Sequence, residues 1–273
     1  MTRVIGIDVG GTKIAAGLVE TETGACEARF ERVTRSERDA SVILEECVGM
    51  AQRLAAGRSD VPIGIGVCEL VDREGHTQSA QTLDWRAFDV AGAFASIGPA
   101  VVDSDVRAAA VAEARFGAGR GVEELLYVSV GTGISCCLVL SGRAYAGARG
   151  NAICFGAPPV EDAASGLAVA AAGGREWAED VLADPSLDQV VETAAAALGA
   201  GLAWLVNALD PGAVVVGGGL GLVDRYRDLA VSAMRPMIFG DNTRDVPVVP
   251  AQLGADAGVI GAALAAVGAA GMR

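Results

Sequence analysis

Aromatic residues make up only 4% of this 273-residue chain, and histidine occurs once, at His76. No CxxC pair joins the six cysteines Cys26, Cys47, Cys68, Cys136, Cys137 and Cys154. They read as reduced, packed thiols rather than a disulfide framework. The vicinal pair Cys136-Cys137 would point to opposite faces of a strand, a poor clamp for a metal. Cations are also scarce: 21 Lys and Arg stand against 34 Asp and Glu, a formal net charge of −13. With no basic surplus to neutralise a phosphate backbone, a nucleic-acid partner is not expected. No apolar targeting segment follows Met1-Thr2-Arg3. The longest charge-free helical stretch, Thr193 to Leu209, contains Thr193, Gly199, Gly201 and Asn207. That composition suits a buried helix better than a membrane span, so a cytoplasmic protein with no membrane partner is expected. The Walker pattern GxxxxGK[ST] is absent as well.

Apolar residues make up 52% of the chain, with Ala, Val and Gly abundant, the profile of an α/β protein. Val4-Ile5-Gly6-Ile7, a Gly-rich turn and Ile14 to Glu20 predict a hairpin. Helical spacing covers 38–57, short buried strands follow at Ile63 to Val67 and Ala100 to Val102, and an Ala-rich helix runs from Val106 to Phe116. The hairpin design then repeats: Leu125 to Val130, Gly131-Thr132-Gly133, Ile134 to Leu140. A long helix over 187–209 leads to Asp210-Pro211-Gly212, the strand Ala213 to Val216 and the run Gly217-Gly218-Gly219. A small-residue helix, Asp256 to Ala270, ends the chain. Two related lobes follow from the repeat, 1–105 plus 256–273 and 106–255.

Backbone N–H groups bind phosphate best where glycine allows close approach, with a hydroxyl beside them. Gly10-Gly11-Thr12 and Gly131-Thr132-Gly133 both supply that set, although each alone could be an ordinary hairpin turn. Asp8, on a buried strand just before the first loop, adds a carboxylate that needs a cation nearby, such as Mg²⁺ beside ATP. Asp105 begins a helix, where it could serve as an N-cap or carry chemistry.

The ordered set Asp8-x-Gly10-Gly11-Thr12-Lys13, Asp105 with Glu113, Gly131-Thr132-Gly133-Ile134, Asn207-x-x-x-Pro211 and Val214-Val215-Val216-Gly217-Gly218-Gly219 resembles the ROK family. The ending Leu253 to Ala263 fits that family too. The resemblance implies a two-lobe actin-like ATPase (ribonuclease H-like) fold, mixed sheets in each lobe, an interlobe cleft, and a homodimer. Family repressors carry an added N-terminal DNA-binding domain, and here the hairpin starts at residue 4, which points to the kinase branch. By resemblance, Gly10, Gly11, Thr12, Gly131, Thr132 and Gly133 hold ATP phosphates, Asp8 and Lys13 belong to the same cofactor site, and Mg²⁺ lies near Asp8. Gly218 and Gly219 would lie under the adenosine. Asp105 would be the catalytic base for a sugar-like acceptor.

The acceptor side departs from the family pattern. Where sugar kinases of the family show Asn-Asp, this chain has Ser104-Asp105, and where they show Asn-Leu before a tryptophan it has Thr82-Leu83 before Trp85. In the stretch Gly150 to Ala157 the sugar-gripping Glu has become Cys154 and the His has become Ala157. The Cys-rich zinc segment is missing, the chain passing from Pro158-Pro159 to Val160-Glu161, so no structural zinc is expected. Glu161 remains to receive a hydroxyl. Ile153, Cys154, Phe155 and Ala157 would make the wall more apolar. Losing a charged Glu and a His removes the usual pyranose contacts. The expectation is a kinase acting on a cyclitol, amino sugar or deoxy sugar in preference to glucose; the alternative is a catalytically silent binding or regulatory protein of the same fold.

Overall fold

The computed structural model describes residues 2–34, 39–155 and 159–270. Two compact units emerge: 1–116 with 146–152 and 255–273, and 117–145 with 153–254. In chain order the first unit runs β1 (Arg3–Val9), β2 (Lys13–Glu20), β3 (Cys26–Val33), α1 (Ala40–Ala55), β4 (Ile63–Val67), β5 (Ala100–Ser104) and α2 (Asp105–Phe116). The second carries β6 (Glu124–Val130), β7 (Ile134–Leu140), β8 (Arg143–Ala144), α3 (Glu161–Ala164), α4 (Gly166–Ala172), α5 (Ala178–Ala183), α6 (Asp188–Leu209), β9 (Ala213–Gly217), α7 (Asp224–Met234) and β10 (Val248–Pro250). The closing helix α8 (Ala257–Ala270) returns to the first unit.

Both units are built on the same five-stranded plan. The first sheet has the order β3-β2-β1-β4-β5 and the second, read from its other edge, β8-β7-β6-β9-β10. In each, a central strand pairs antiparallel with the hairpin partner that follows it and parallel with a later strand. The repeat of hairpins legible in the sequence is therefore a repeat of whole sheets.

Alternation along β1 sets the layering of the first unit. Ile5, Ile7 and Val9 are fully buried in a core with Ile43, Cys47 and Met50 of α1. Asp39 caps that helix by accepting from the Ser41 N–H at 2.8 Å. Gly6 and Asp8 face α8 instead. A side chain at Gly6 would begin 1.9 Å from the Val259 carbonyl oxygen, and one at Gly64 on β4 would begin 1.7 Å from that of Ala262. The absence of Cβ atoms lets α8 lie with its backbone against the sheet. At Gly261, a Cβ would fall 1.8 Å from the Ala108 carbonyl oxygen, so α8 also rests backbone to backbone on α2. Helix α2, which the sequence places at the start of the second lobe, thus packs within the first unit.

The second unit buries Val191, Ala195, Leu198, Leu202 and Val206 of α6 with Val128 and Val214 of its sheet. Helix α6 contains the charge-free stretch Thr193 to Leu209, and half of its most apolar part is buried. That burial is what its amphipathic contacts with α7 and the sheet require.

Candidate active site

In the first unit the chain turns at the end of β1 so that the Gly10 N–H donates to the Lys13 carbonyl oxygen at 2.9 Å. Thr34 fastens the turn from outside, its hydroxyl donating to the Gly10 carbonyl oxygen at 2.6 Å. Thr12 is exposed, and Lys13 lies 3.7 Å from Glu31 on the surface. Asp8 points to the start of α8, where a Cβ on Gly258 would come 2.3 Å from its carboxylate. Burial pushes the Asp8 carboxyl up to about 6, against the opposing pull of Lys13 and Arg29.

Asp105 sits where β5 passes into α2. Its carboxylate accepts from the Val106 N–H at 2.6 Å and from the Ser104 hydroxyl at 3.4 Å. Burial, and then the charge of Asp8, push this carboxyl up to about 7, the two hydrogen bonds opposing the shift. Ser104 is fully buried, so its hydroxyl serves the Asp105 carboxylate. Thr82 is half-buried with its γ-methyl 3.1 Å from where a Cβ on Gly11 would lie, which puts it against the first glycine turn.

Two groups that the sequence reading passed over complete this region. Glu69 is 4% exposed, and its carboxylate accepts the N–H groups of Gln81, Thr82 and Leu83. The signal was a single acid inside the apolar run Val67 to Val71. Arg107 is 3% exposed and spans the Asp103 carboxylate and the carbonyl oxygens of Gly150 and Val71 at 2.5, 2.5 and 2.9 Å. It ties the 146–152 segment to β5, and no motif announced it.

In the second unit, the Gly131 N–H donates to the Gly133 carbonyl oxygen at 2.9 Å, closing the second glycine turn. Thr132 is exposed at its tip. Glu161 accepts from the Ile134 N–H at 3.2 Å, and a Cβ on Gly133 would begin 2.4 Å from its carboxylate. The structure therefore places Glu161 against the phosphate-type turn. Gly166, next to the helix-capping Ser165, donates its N–H to the Gly131 carbonyl oxygen at 2.7 Å. Gly218 has φ of 79°, a left-handed conformation favouring glycine, and Gly219 beside it opens onto empty space.

The apolar wall expected at 153–157 differs in part. Ile153 is buried, Phe155 packs on the second unit's core, and only Cys154 is exposed. Ile153 turns inward because its carbonyl accepts from the Cys136 N–H at 3.1 Å, fixing it beside β7. Ala157 lies outside the described residues.

Two duplicated sheets, each ending its central strand in a glycine turn, with a buried Asp on the first, define the actin-like class of phosphotransfer folds. The ROK family model matches residues 4–166 and 174–268, and the chain belongs to the ROK family. It is 31% identical to a glucokinase of Streptomyces coelicolor, covering 96% of this chain and 97% of that protein. An N-acetylmannosamine kinase of Yersinia pseudotuberculosis is 28% identical, with 97% and 98% covered. Among solved structures, a ROK glucokinase from Streptomyces griseus in complex with glucose and AMPPNP superposes with a TM-score of 0.82 at 29% identity, covering 97% of this chain and 99% of that one.

Proposed function

We propose that this ROK-family sugar kinase moves the γ-phosphoryl group of ATP to a hydroxyl of a sugar-like acceptor other than glucose, a cyclitol, amino sugar or deoxy sugar. The observation that carries the reading is Asp105: a buried carboxylate at the end of β5, pushed up to about 7, with Ser104 donating to it. A base with that proton affinity takes the acceptor's proton as its oxygen attacks the γ-phosphorus and the bond to the ADP oxygen breaks. The turns at 10–12 and 131–133 hold phosphate oxygens by N–H and hydroxyl donation, and Gly218 and Gly219 leave room for the adenosine. Asp8 fits a hard cation, since its buried carboxylate has only the partial compensation of Lys13 and Arg29. Bound Mg²⁺ would neutralise phosphate charge there.

The glucokinase relatives support a hexose-like acceptor, while Cys154 in the place of a sugar-gripping Glu supports a departure from glucose. A screen for ADP release across hexoses, amino sugars, cyclitols and polyols tests this, with the Asp105→Ala variant as blank. Release with a cyclitol or amino sugar well above that with glucose is expected. Glucose or mannose turnover at the highest rate of the panel would sink the acceptor claim. Silence throughout, with ATP still bound, would instead favour a binding or regulatory protein.

The same preparation, made without a His tag, should contain no stoichiometric zinc by elemental analysis. A homodimer is also part of the reading: Trp204 and Phe239 of the second unit are 56% and 94% exposed, apolar surface that a second copy would cover. Asn207 presents Phe239 by donating to the Met237 carbonyl oxygen and accepting from the Phe239 N–H, at 3.0 and 2.8 Å. No nucleic acid or membrane takes part, in keeping with the acidic charge and a cytoplasmic setting.

The second glycine turn has its own test. Thr132→Val keeps the side-chain shape and removes the exposed hydroxyl. Hydrogen bonds to charged groups are worth about 1.5–3 kcal/mol, so ATP affinity should fall about tenfold or more with acceptor KM unchanged. Titration calorimetry with a non-hydrolysable ATP analogue reads the effect, and unchanged affinity would remove Thr132 from the phosphate site.

A further inference from the structure

A carboxylate is costly to bury unless every lone pair finds a donor. Glu69 follows β4 directly and meets that demand with one short stretch of chain. One oxygen accepts the N–H groups of Thr82 and Leu83 at 2.6 and 2.8 Å. The other accepts the Gln81 N–H at 3.0 Å and the Ser79 hydroxyl. Ser79 in turn accepts from the Leu70 N–H at 2.8 Å, closing the loop onto the residue after Glu69. Three consecutive amides converging on one carboxylate fix the backbone of 81–83 much as a helix N-terminus fixes an anion.

The consequence falls on Thr82. Its side chain lies against Gly11, so it is held beside the first glycine turn. A β-branched side chain is stiff about its first torsion, so its direction follows the backbone that Glu69 holds. The far end of the segment is anchored independently: Trp85 is 1% exposed and donates its indole N–H to the Ala40 carbonyl oxygen at 2.8 Å. All four lone-pair positions of the Glu69 carboxylate are taken up by donors of the loop, so its role is to hold that loop.

We infer that Glu69 is a positioning residue that sets acceptor affinity by fixing the Ser79–Leu83 loop and with it Thr82. The inference rests on the proposed sugar-kinase reading and on the family resemblance that puts Thr82 on the acceptor side. It is tested with Glu69→Gln, which keeps the volume but turns an amide N–H₂ toward one of the donors. Ser79→Ala is the milder variant, removing only the hydroxyl bond. Hydrogen–deuterium exchange across Gln81–Leu83 is measured together with steady-state kinetics, using ATP and, in turn, glucose, glucosamine and myo-inositol.

In Glu69→Gln, exchange at these amides should quicken and the acceptor KM rise about tenfold, with the ATP KM unchanged. Ser79→Ala should move the same quantities in the same direction by less. Unchanged exchange at 81–83, or KM values for ATP and acceptor that rise in parallel, would overturn the proposal. If wild-type protein turns over none of the three acceptors, the acceptor reading fails on its own. The exchange arm then decides whether Glu69 holds the loop.

Discussion

Replacing Asp105 with asparagine is expected to lower kcat/KM for phosphotransfer by about 10²–10⁴-fold, the usual contribution of a positioned general base, while ATP binding is nearly retained. Asparagine keeps the shape and can still accept from the Val106 N–H, which the carboxylate does at 2.6 Å. It cannot take a proton. A variant with wild-type turnover would exclude Asp105 as base. The wild-type enzyme should show the matching pH profile: with the carboxyl pushed up to about 7, kcat/KM for the acceptor should climb tenfold per pH unit below that value and level off above it.

The same shift has a stability side, and its sign is fixed. The folded pKa lies above the unfolded one near 4, so the stability from this group is fully present below pH 4 and lost as pH rises through about 7. Asp105→Asn should therefore melt higher than wild type at pH 8 and close to it at pH 4. Thermal melts at the two pH values check this, and a variant that melts lower at pH 8 would contradict the buried-charge account.

Gly64→Ala is expected to be the most damaging single methyl in the first unit. Its Cβ would start 1.7 Å from the Ala262 carbonyl oxygen and 2.4 Å from the Ala262 carbonyl carbon, both backbone atoms of α8. No side chain can rotate away, so α8 must lift off the sheet. Overpacking a core commonly costs about 1–3 kcal/mol and occasionally more; here we expect at least about 3 kcal/mol, or a fall in Tm on the order of 10 °C. Gly49→Ala is the control: within α1, where nothing lies within 4 Å, it should stabilise by about 0.5–1 kcal/mol. Equal melting temperatures for Gly64→Ala and wild type would show that α8 is not seated as described.

Much of the architecture was legible because it rests on local signals. The hairpins around 10–13 and 131–133 pair a period-two apolar pattern with glycine, and both occur as read. Helices α1, α2, α6 and α8 fall within a few residues of their apolar spacing. The edge strand β3 was not legible: most of Cys26–Val33 is exposed and carries Glu27, Arg29, Glu31 and Arg32. Its place comes from pairing with β2, a non-local fact. Short α3, α4 and α5 carry too few turns for periodicity to register.

At the site, Asp8, Asp105 and both turns were visible as motifs. Glu69 and Arg107 were not, because their meaning lies in backbone partners at 81–83, 71 and 150. The apolar wall at 153–155 was misread in part, since spacing alone does not say that Ile153 turns toward the core while Cys154 turns out.

The duplicated sheet plan also divides the electrostatic labour. Asp8 stands opposite Gly66 one residue before the end of β1, and in the second sheet Ser129 stands opposite Gly217 one residue before the end of β6. The equivalent register is thus acidic in one copy and neutral in the other. The second turn receives its carboxylate from elsewhere, Glu161 of α3 standing against Gly133, so an anion at either turn meets a negative charge until a cation intervenes. The two glycine turns, alike in backbone, thus draw their negative charge from different places: the central strand itself in the first sheet, and a neighbouring helix in the second.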